Sequence, residues 1–182
     1  MTDHFFKKVV SELKEATENN DHPFRYFTLG TTGITKTPRL RTVVLREVSD
    51  ELKFTIYTDK RSRKVTHIKE HNEVCLLFYK HDELLQLKIE GIAYLEEDKE
   101  KIARVWKSIS EKSRKDYITS KEPGTKIDNP DNVEYLENTN HFTIMYIKAK
   151  KLEYLQLKRP NHIRLQFNRE STKDWQSSFM VP

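Results

Sequence analysis

The chain has 182 residues, of which 36% are hydrophobic and 34% are charged, and its formal net charge is +5. This length predicts a single domain over residues 1–182 and excludes two domains of ordinary size. The longest uncharged apolar run, residues 74–79, is far shorter than the roughly 20 residues that cross a bilayer. The first ten residues show no secretory signal, and Cys75 is a single cysteine. These features predict a cytoplasmic protein without an internal disulfide.

Three segments read as helices. Apolar residues at helical spacing predict a helix over residues 3–18, which the polar run at 19–23 ends. Ser62 is expected to cap a short helix that continues to about Glu70. A third helix is predicted from Asp98 to about Tyr117, followed by a long loop.

The remaining periodic segments read as strands, because they are rich in β-branched and aromatic residues and are bounded by turn residues. They cover residues 24–29, 40–47, 52–58, 73–80, 84–96, 142–149, 152–157 and 163–167. The second and third are expected to form a hairpin, and Gly91 indicates a bulge or bend in the fifth. Short antiparallel strands with few helices predict a small barrel or sandwich with helices at its edges.

Several common chemistries find no support in the sequence. None of the four glycines has the spacing of a dinucleotide fingerprint or a phosphate loop, and no serine lies in a G-x-S-x-G elbow. Cys75 lies in an apolar strand and is expected to be a buried, inert thiol. The segment from His67 to His71 matches H-x-x-E-H, but its short polar helix lacks a visible third ligand, so no metal site is predicted.

Basic residues concentrate in the stretch 36–64, which holds nine of them against four acidic residues. A nucleic-acid surface needs a larger excess of positive charge, whereas a phosphate monoester needs only three or four well-placed donors. Strand alternation places Arg41 and Arg46 on opposite faces. Arg63 and Lys64 follow Ser62 at a helix start, where free N–H groups and the helix dipole favour phosphate.

The order of these motifs closely resembles the pyridoxamine 5′-phosphate oxidase family of FMN-binding split barrels. The resemblance covers about residues 24–96. Its motifs are R-T-V-V-L-R at 41–46, Y-T-D at 57–59, R-S-R-K at 61–64, E-V-C-L-L-F at 73–78 and Q-L-K-I-E-G at 86–91. It resumes at 162–164, 168–170, Trp175 and 181–182. The resemblance implies a mainly β (α+β) fold, an antiparallel split β-barrel with flanking helices.

The same resemblance implies FMN as cofactor, bound between the two subunits of a homodimer. The implied FMN-binding residues are Arg41, Thr42, Val43, Val44, Leu45, Arg46, Tyr57, Thr58, Ser62, Arg63, Lys64, Gln86 and Arg164. Arg63 and Lys64 are expected on the phosphate and Gln86 on the isoalloxazine ring. Arg46 and His162 are the implied substrate contacts.

The chain departs from the family pattern mainly where the vitamin substrate would bind. Arg46 stands where true oxidases have lysine, and Pro160 stands where they have the arginine of an Arg-x-His pair. Leu155 replaces a tryptophan near the flavin, and residues 122–123 replace a Gln-Ser pair of the partner subunit. The flavin machinery therefore looks retained, while the substrate pocket looks altered.

Three functions remain open on the sequence. The first is an FMN-dependent oxidoreductase acting on an unidentified small molecule. The second is authentic oxidation of pyridoxamine or pyridoxine 5′-phosphate. The third is a flavin or phosphate binder without catalysis, or a basic nucleic-acid-binding barrel that stacks bases on exposed aromatic residues.

Overall fold

The computed structural model describes residues 2–169 and 174–182. Within those residues the chain forms nine strands of one antiparallel sheet: β1 (Tyr26–Thr32), β2 (Pro38–Val44), β3 (Glu47–Val48), β4 (Lys53–Asp59), β5 (Glu73–Lys80), β6 (Leu85–Leu95), β7 (Phe142–Gln156), β8 (Ile163–Asn168) and β9 (Gln176–Phe179). The strand order is β2-β1-β5-β6-β7-β4-β3, and β8 joins β7 and β9 beyond this path.

Among the described residues, four α-helices flank the sheet: α1 (Asp3–Glu18), α2 (Arg63–Glu70), α3 (Lys99–Ser108) and α4 (Glu111–Arg114). The predicted bounds of α1 are confirmed, and its buried face packs on the core that fills the inner side of the sheet. In the part of the chain that the structure describes, no helix is long and apolar enough to cross a membrane.

The sheet curls into a half-barrel because one continuous segment joins its two ends. The N–H of Leu45 donates to the carbonyl of Arg25, whereas the N–H of Arg46 donates to the carbonyl of Thr55. Arg25 directly precedes β1 and Thr55 lies in β4, so two consecutive residues bond to opposite ends of the sheet. The predicted strand 40–47 is therefore broken at this corner, and the predicted β-barrel class with flanking helices is confirmed.

The predicted hairpin between residues 40–47 and 52–58 is wrong in its partner. β2 pairs with β1 along its whole length, and only Glu47 and Val48 pair with β4. The predicted strand 24–29 also begins later and runs to Thr32, because Pro23–Arg25 form a 3-10 turn. Alternation of apolar residues indicates a strand but does not specify its neighbour.

The bulge expected at Gly91 is confirmed. The β6–β7 register shifts between Glu90 and Gly91, which leaves Lys150 as the extra residue of β7. A Cβ on Gly91 would collide with the backbone carbonyl of Lys148, so the close approach of the strands requires glycine. The two strands predicted at 142–149 and 152–157 are therefore one strand with an irregularity at the predicted gap.

The predicted helix 98–117 is also interrupted. α3 ends at Ser108, and the Ser110 hydroxyl then accepts a hydrogen bond from the N–H of Ser113 as the cap of the short α4. A side-chain cap of this kind starts a new helix and so breaks the old one. β9, which carries only exposed residues, was not predicted.

Candidate functional site

A cleft of about 470 Å³ opens between the β1–β2 turn and the first half of α2. Its lining includes four basic side chains, and we call it the basic cleft: Arg39, Arg41, Arg63 and His67. None of the described residues that line it is acidic. The cleft therefore concentrates positive charge in a volume typical of small-ligand sites.

Arg41 lies half-buried on β2 at the wall of the basic cleft. Its Nη1 donates to the carbonyl oxygen of Leu29 at 3.0 Å and to Oγ1 of Thr31 at 2.8 Å. Both bonds use Nη1, and no described residue accepts from Nε or Nη2. Burial lowers the pKa of the guanidinium, because removal from water disfavours its charged form. Arg41 is therefore held in place with two donors free for a ligand.

Lys64, in the first turn of α2, is a second cation with neutral partners. Its Nζ donates to Oγ1 of Thr58 at 2.9 Å and to Oγ of Ser62 at 3.4 Å, and both hydroxyl residues are buried. Among the described residues no carboxylate lies within 4 Å of this ammonium. Burial first, and then the charge of Arg41, lower the pKa of Lys64. The nearby Asp59 is committed to Arg61 at 2.7 Å.

The start of α2 adds backbone donors to this cluster. Ser62 occupies the N-cap position without a side-chain cap bond, and the N–H of Val65 donates to the carbonyl of Ser62 at 2.8 Å. The N–H groups of Arg63 and Lys64 have no hydrogen-bond acceptor among the described residues. Arg63 is exposed at the same turn and lines the basic cleft. A helix start flanked by cations favours an anion for electrostatic reasons.

The other predicted residues of β2 and its extension divide by face. Val43 and Leu45 are buried in the core, whereas Thr42 is exposed and Val44 is half-buried. Their side chains alternate as predicted. β2 is an edge strand within the described sheet, so half of its backbone N–H and C=O groups point to an open side.

Arg46 lies outside the lining of the basic cleft. Its guanidinium stacks over the ring of Tyr57 at 5.2 Å, and its buried Nε has no hydrogen-bond partner among the described residues. Tyr57 is half-buried against Phe142, and burial raises the pKa of its hydroxyl. Arg46 and Tyr57 therefore form a separate pair at the corner that follows β2.

Gln86 and Arg164 lie on the face of the sheet opposite the core, which we call the outer face. They flank Leu155 in register across β6, β7 and β8. Arg164 donates to the buried Glu153 at 3.0 Å. β6 is three strands from β2, which is roughly 14 Å along the sheet. Within one chain, Gln86 and Arg164 therefore lie far from the cations at the basic cleft.

The expected substrate contact His162 and the departures from the family pattern at Pro160, Glu122 and Pro123 are exposed. His162 lies in the loop before β8, where its Nδ1 accepts from the N–H of Lys158 at 3.1 Å. Pro160 is exposed in the same loop, and Glu122 and Pro123 are exposed in the loop after α4. Glu170, part of the C-terminal motif, lies outside the described residues.

Two residues of the basic cleft, Arg39 and His67, were not predicted as site residues from the sequence. In the sequence His67 is part of the H-x-x-E-H pattern, whereas in the structure it is buried in the cleft with Nδ1 2.9 Å from Oγ1 of Thr31. His71 is exposed at the far end of α2. The i, i+4 spacing from Arg63 to His67 and the period-two spacing from Arg39 to Arg41 could have indicated both missed residues. Cys75, predicted as buried, is half-buried on the outer face.

Known proteins are similar to this chain in sequence over about half of its length. The family model of the pyridoxamine 5′-phosphate oxidase FMN-binding domain matches residues 6–97. A pyridoxine/pyridoxamine 5′-phosphate oxidase from Aliarcobacter butzleri is 36% identical over 86 residues, which are 47% of this chain. The chain matches 40% of the length of that curated relative.

Two solved structures share the fold over nearly the whole chain. One is a pyridoxamine 5′-phosphate oxidase-related, FMN-binding protein from Nostoc punctiforme, with a TM-score of 0.79, 19% identity and coverage of 97% of both chains. The other is PhzG from Burkholderia lata in complex with tetrahydrophenazine-1-carboxylic acid, with a TM-score of 0.77 and 16% identity. It covers 98% of this chain and 91% of that chain. At these identities the likeness shows a shared split-barrel fold and nothing about function.

Proposed function

The chain belongs to the family of the pyridoxamine 5′-phosphate oxidase FMN-binding domain, and from that premise we propose that it binds FMN and uses it as an oxidoreductase of a small molecule. The observation that carries the proposal is the pair of cations, Arg41 and Lys64, whose hydrogen-bond partners are all neutral oxygens. A phosphate would add ion-paired hydrogen bonds to both cations, which the neutral oxygens do not supply.

The residues present fit the phosphate of FMN. Arg41 has Nε and Nη2 available, which is the fork that binds two phosphate oxygens. Lys64 can exchange its two hydroxyl partners for a phosphate oxygen, and Arg63 adds a third cation at the start of α2. A phosphate dianion would also remove the electrostatic cost of holding Arg41 and Lys64 near each other.

Other residues would orient the ring and limit its exposure to water. The open edge of β2 offers backbone donors and acceptors to a planar heterocycle. Tyr57 and Arg46 form a stacked, half-buried pair at the next turn of the chain. When bound, the flavin would supply the two-electron redox chemistry, while the protein supplies orientation and electrostatics.

We further propose a homodimer in which each flavin site uses residues of both subunits. The support is the separation of Gln86 and Arg164 from the basic cleft within one chain. The outer face between them also carries exposed apolar side chains that a second subunit would cover, namely Tyr26, Leu40, Leu77 and Tyr79. A cytoplasmic location stays part of the proposal, supported by the single cysteine of the sequence.

The substrate is proposed to differ from pyridoxamine 5′-phosphate. Pro160 offers no charge where the family pattern has a phosphate-binding arginine, and loss of one such contact costs roughly 1.5–3 kcal/mol. The curated relative that matches part of the chain is named for this reaction, which keeps authentic oxidation as the second candidate.

The test begins with the purified protein and the ligand that heat releases from it. We expect FMN, identified by its absorbance and mass. Pyridoxal 5′-phosphate formation under air is then measured for the wild type and Pro160→Arg, and little turnover is expected from the wild type. Efficient turnover would make the second candidate the correct one, and a protein that does not bind FMN would reject the proposal altogether.

A further inference from the structure

Thr31 joins two side chains of the basic cleft through one hydroxyl oxygen. Nη1 of Arg41 lies 2.8 Å from Oγ1 of Thr31, and Nδ1 of His67 lies 2.9 Å from the same atom. Thr31 and His67 are both buried, with exposed fractions of 4% and 7%. The three groups therefore form a fixed chain from β2 through β1 to α2.

The direction of each hydrogen bond follows from the donors available. A guanidinium only donates, so the oxygen of Thr31 accepts from Arg41. Among the described residues the buried hydroxyl of Thr31 has no other acceptor for its proton. The arrangement that satisfies this proton gives it to Nδ1 of His67, which then acts as the acceptor. A neutral imidazole that accepts at Nδ1 carries its proton on Nε2.

The electrostatics of the cleft keep this imidazole neutral. Burial first, and then the charges of Arg41, Arg39 and Arg63, lower the pKa of His67. His67 lines the basic cleft, and no described residue accepts a hydrogen bond from its Nε2. A polar N–H group with a fixed tautomer is therefore left at the wall of an anion-binding cleft.

We propose that His67 is a further phosphate ligand, which donates its Nε2–H to the phosphate monoester bound in the basic cleft. The inference rests on the proposed FMN binding and adds a residue that the family motifs do not include. His67 and Arg63 lie four residues apart on α2, so they share one face of the helix toward the cleft. Thr31 acts through His67 as a positioning residue, because its hydroxyl sets the tautomer.

Two amide substitutions separate the two nitrogens of the ring. His67→Gln keeps an N–H donor near the position of Nε2. His67→Asn keeps an acceptor near the position of Nδ1, but its shorter side chain places no donor near the position of Nε2. His71→Gln is the matched control, because it makes the same change at an exposed position directly after the same helix. The dissociation constants of FMN and riboflavin are measured by titrating each apo protein, and thermal unfolding checks that each variant is folded.

We expect His67→Asn to weaken FMN binding about tenfold to a hundredfold, which is the loss of one hydrogen bond to a charged group. His67→Gln should stay within about twofold of the wild type, as should His71→Gln, and riboflavin should bind all four proteins equally. Equal FMN affinities of His67→Gln and His67→Asn, at either level, would overturn the role of Nε2–H while leaving FMN binding intact. A wild type that does not bind FMN would overturn both proposals.

Discussion

Lys64 shows how a binding group can oppose the stability of the protein that carries it. Its ammonium is half-buried, and its hydrogen-bond partners among the described residues are the hydroxyl groups of Thr58 and Ser62, with the charge of Arg41 nearby. The folded apo protein therefore disfavours the charged form of Lys64, and this is the direction of its pKa shift. A bound phosphate would reverse that preference.

Replacement of Lys64 by methionine should accordingly separate binding from stability. Lys64→Met is expected to weaken FMN binding about tenfold to a hundredfold, since a charge-assisted bond is worth roughly 1.5–3 kcal/mol. The same variant should unfold at a temperature equal to or above that of the wild-type apo protein, because a buried, uncompensated charge is removed. Calorimetric titration and thermal unfolding of apo protein measure the two effects.

The pH dependence of the unfolding free energies of the wild type and Lys64→Met provides the control. A lysine whose folded pKa is lowered binds fewer protons than the unfolded chain between that folded pKa and its ordinary value of 10.5. The stability of the wild type relative to Lys64→Met should therefore rise with pH in that window. A difference that is constant with pH, or affinity for FMN equal to that of the wild type, would remove Lys64 from the site.

At the residue scale, the sequence predicted the charges better than their surroundings. Lys64 was identified because it follows Ser62 at a helix start, and Arg41 because it begins the strand motif at 41–46. His67 was missed because its role depends on Thr31, which lies 36 residues earlier and is brought near by the β1–α2 contact. Hydrogen bonds between distant segments leave no periodic pattern in the sequence.

At the element scale, the long strand β7 holds the half-barrel together. It pairs with β4 along its first half, with β8 along its second half and with β6 from Met145 to Gln156. The sequence predicted the bulge at Gly91, because glycine inside a strand indicates a close approach of two backbones. The sequence did not predict that the segments on either side of Lys150 are one strand, because the irregularity interrupts the alternation of buried and exposed residues along β7.

Gly91→Ala should destabilise the protein through this strand pair. The new Cβ would overlap the carbonyl of Lys148, which is backbone and cannot move without shifting the β6–β7 register. Overpacking of this kind costs roughly 1–3 kcal/mol of unfolding free energy. Urea unfolding of the apo protein measures the loss.

Gly30→Ala is the control for this prediction, because its Cβ would meet the flexible side chain of Leu40 at 3.3 Å. It should cost less than Gly91→Ala. A Gly91→Ala variant as stable as the wild type would mean that the strands can separate at the bulge without loss of pairing elsewhere.

At the scale of the whole molecule, the proposed shared site makes a prediction about mixed dimers. Lys64→Ala and Arg164→Ala change residues on opposite sides of the sheet and should each weaken FMN binding. If every site takes Lys64 from one subunit and Arg164 from the other, a mixed dimer regains one intact site. Equal mixing and exchange of subunits should then restore about a quarter of the sites, which FMN titration counts.

Two measurements could contradict the shared site: FMN titration of the mixed dimers and sedimentation. No regain of tight sites after proven subunit exchange would place Lys64 and Arg164 in sites that lie within one chain. Sedimentation of the FMN-bound protein should give about twice the chain mass of 21.8 kDa, and a monomer that binds FMN tightly would reject the shared site.

The open edge of β2 has a further consequence for the solubility of the protein without its cofactor. An unpaired strand at the end of a sheet is a template on which strands of other molecules can assemble into aggregates. Two features of β2 oppose this: Pro38 at its start has no N–H to donate, and Arg39 places a repelling charge on the same edge strand. Arg39 thus adds positive charge to the basic cleft and also opposes pairing between the β2 edges of identical chains. Its removal should therefore promote aggregation of the apo protein during storage.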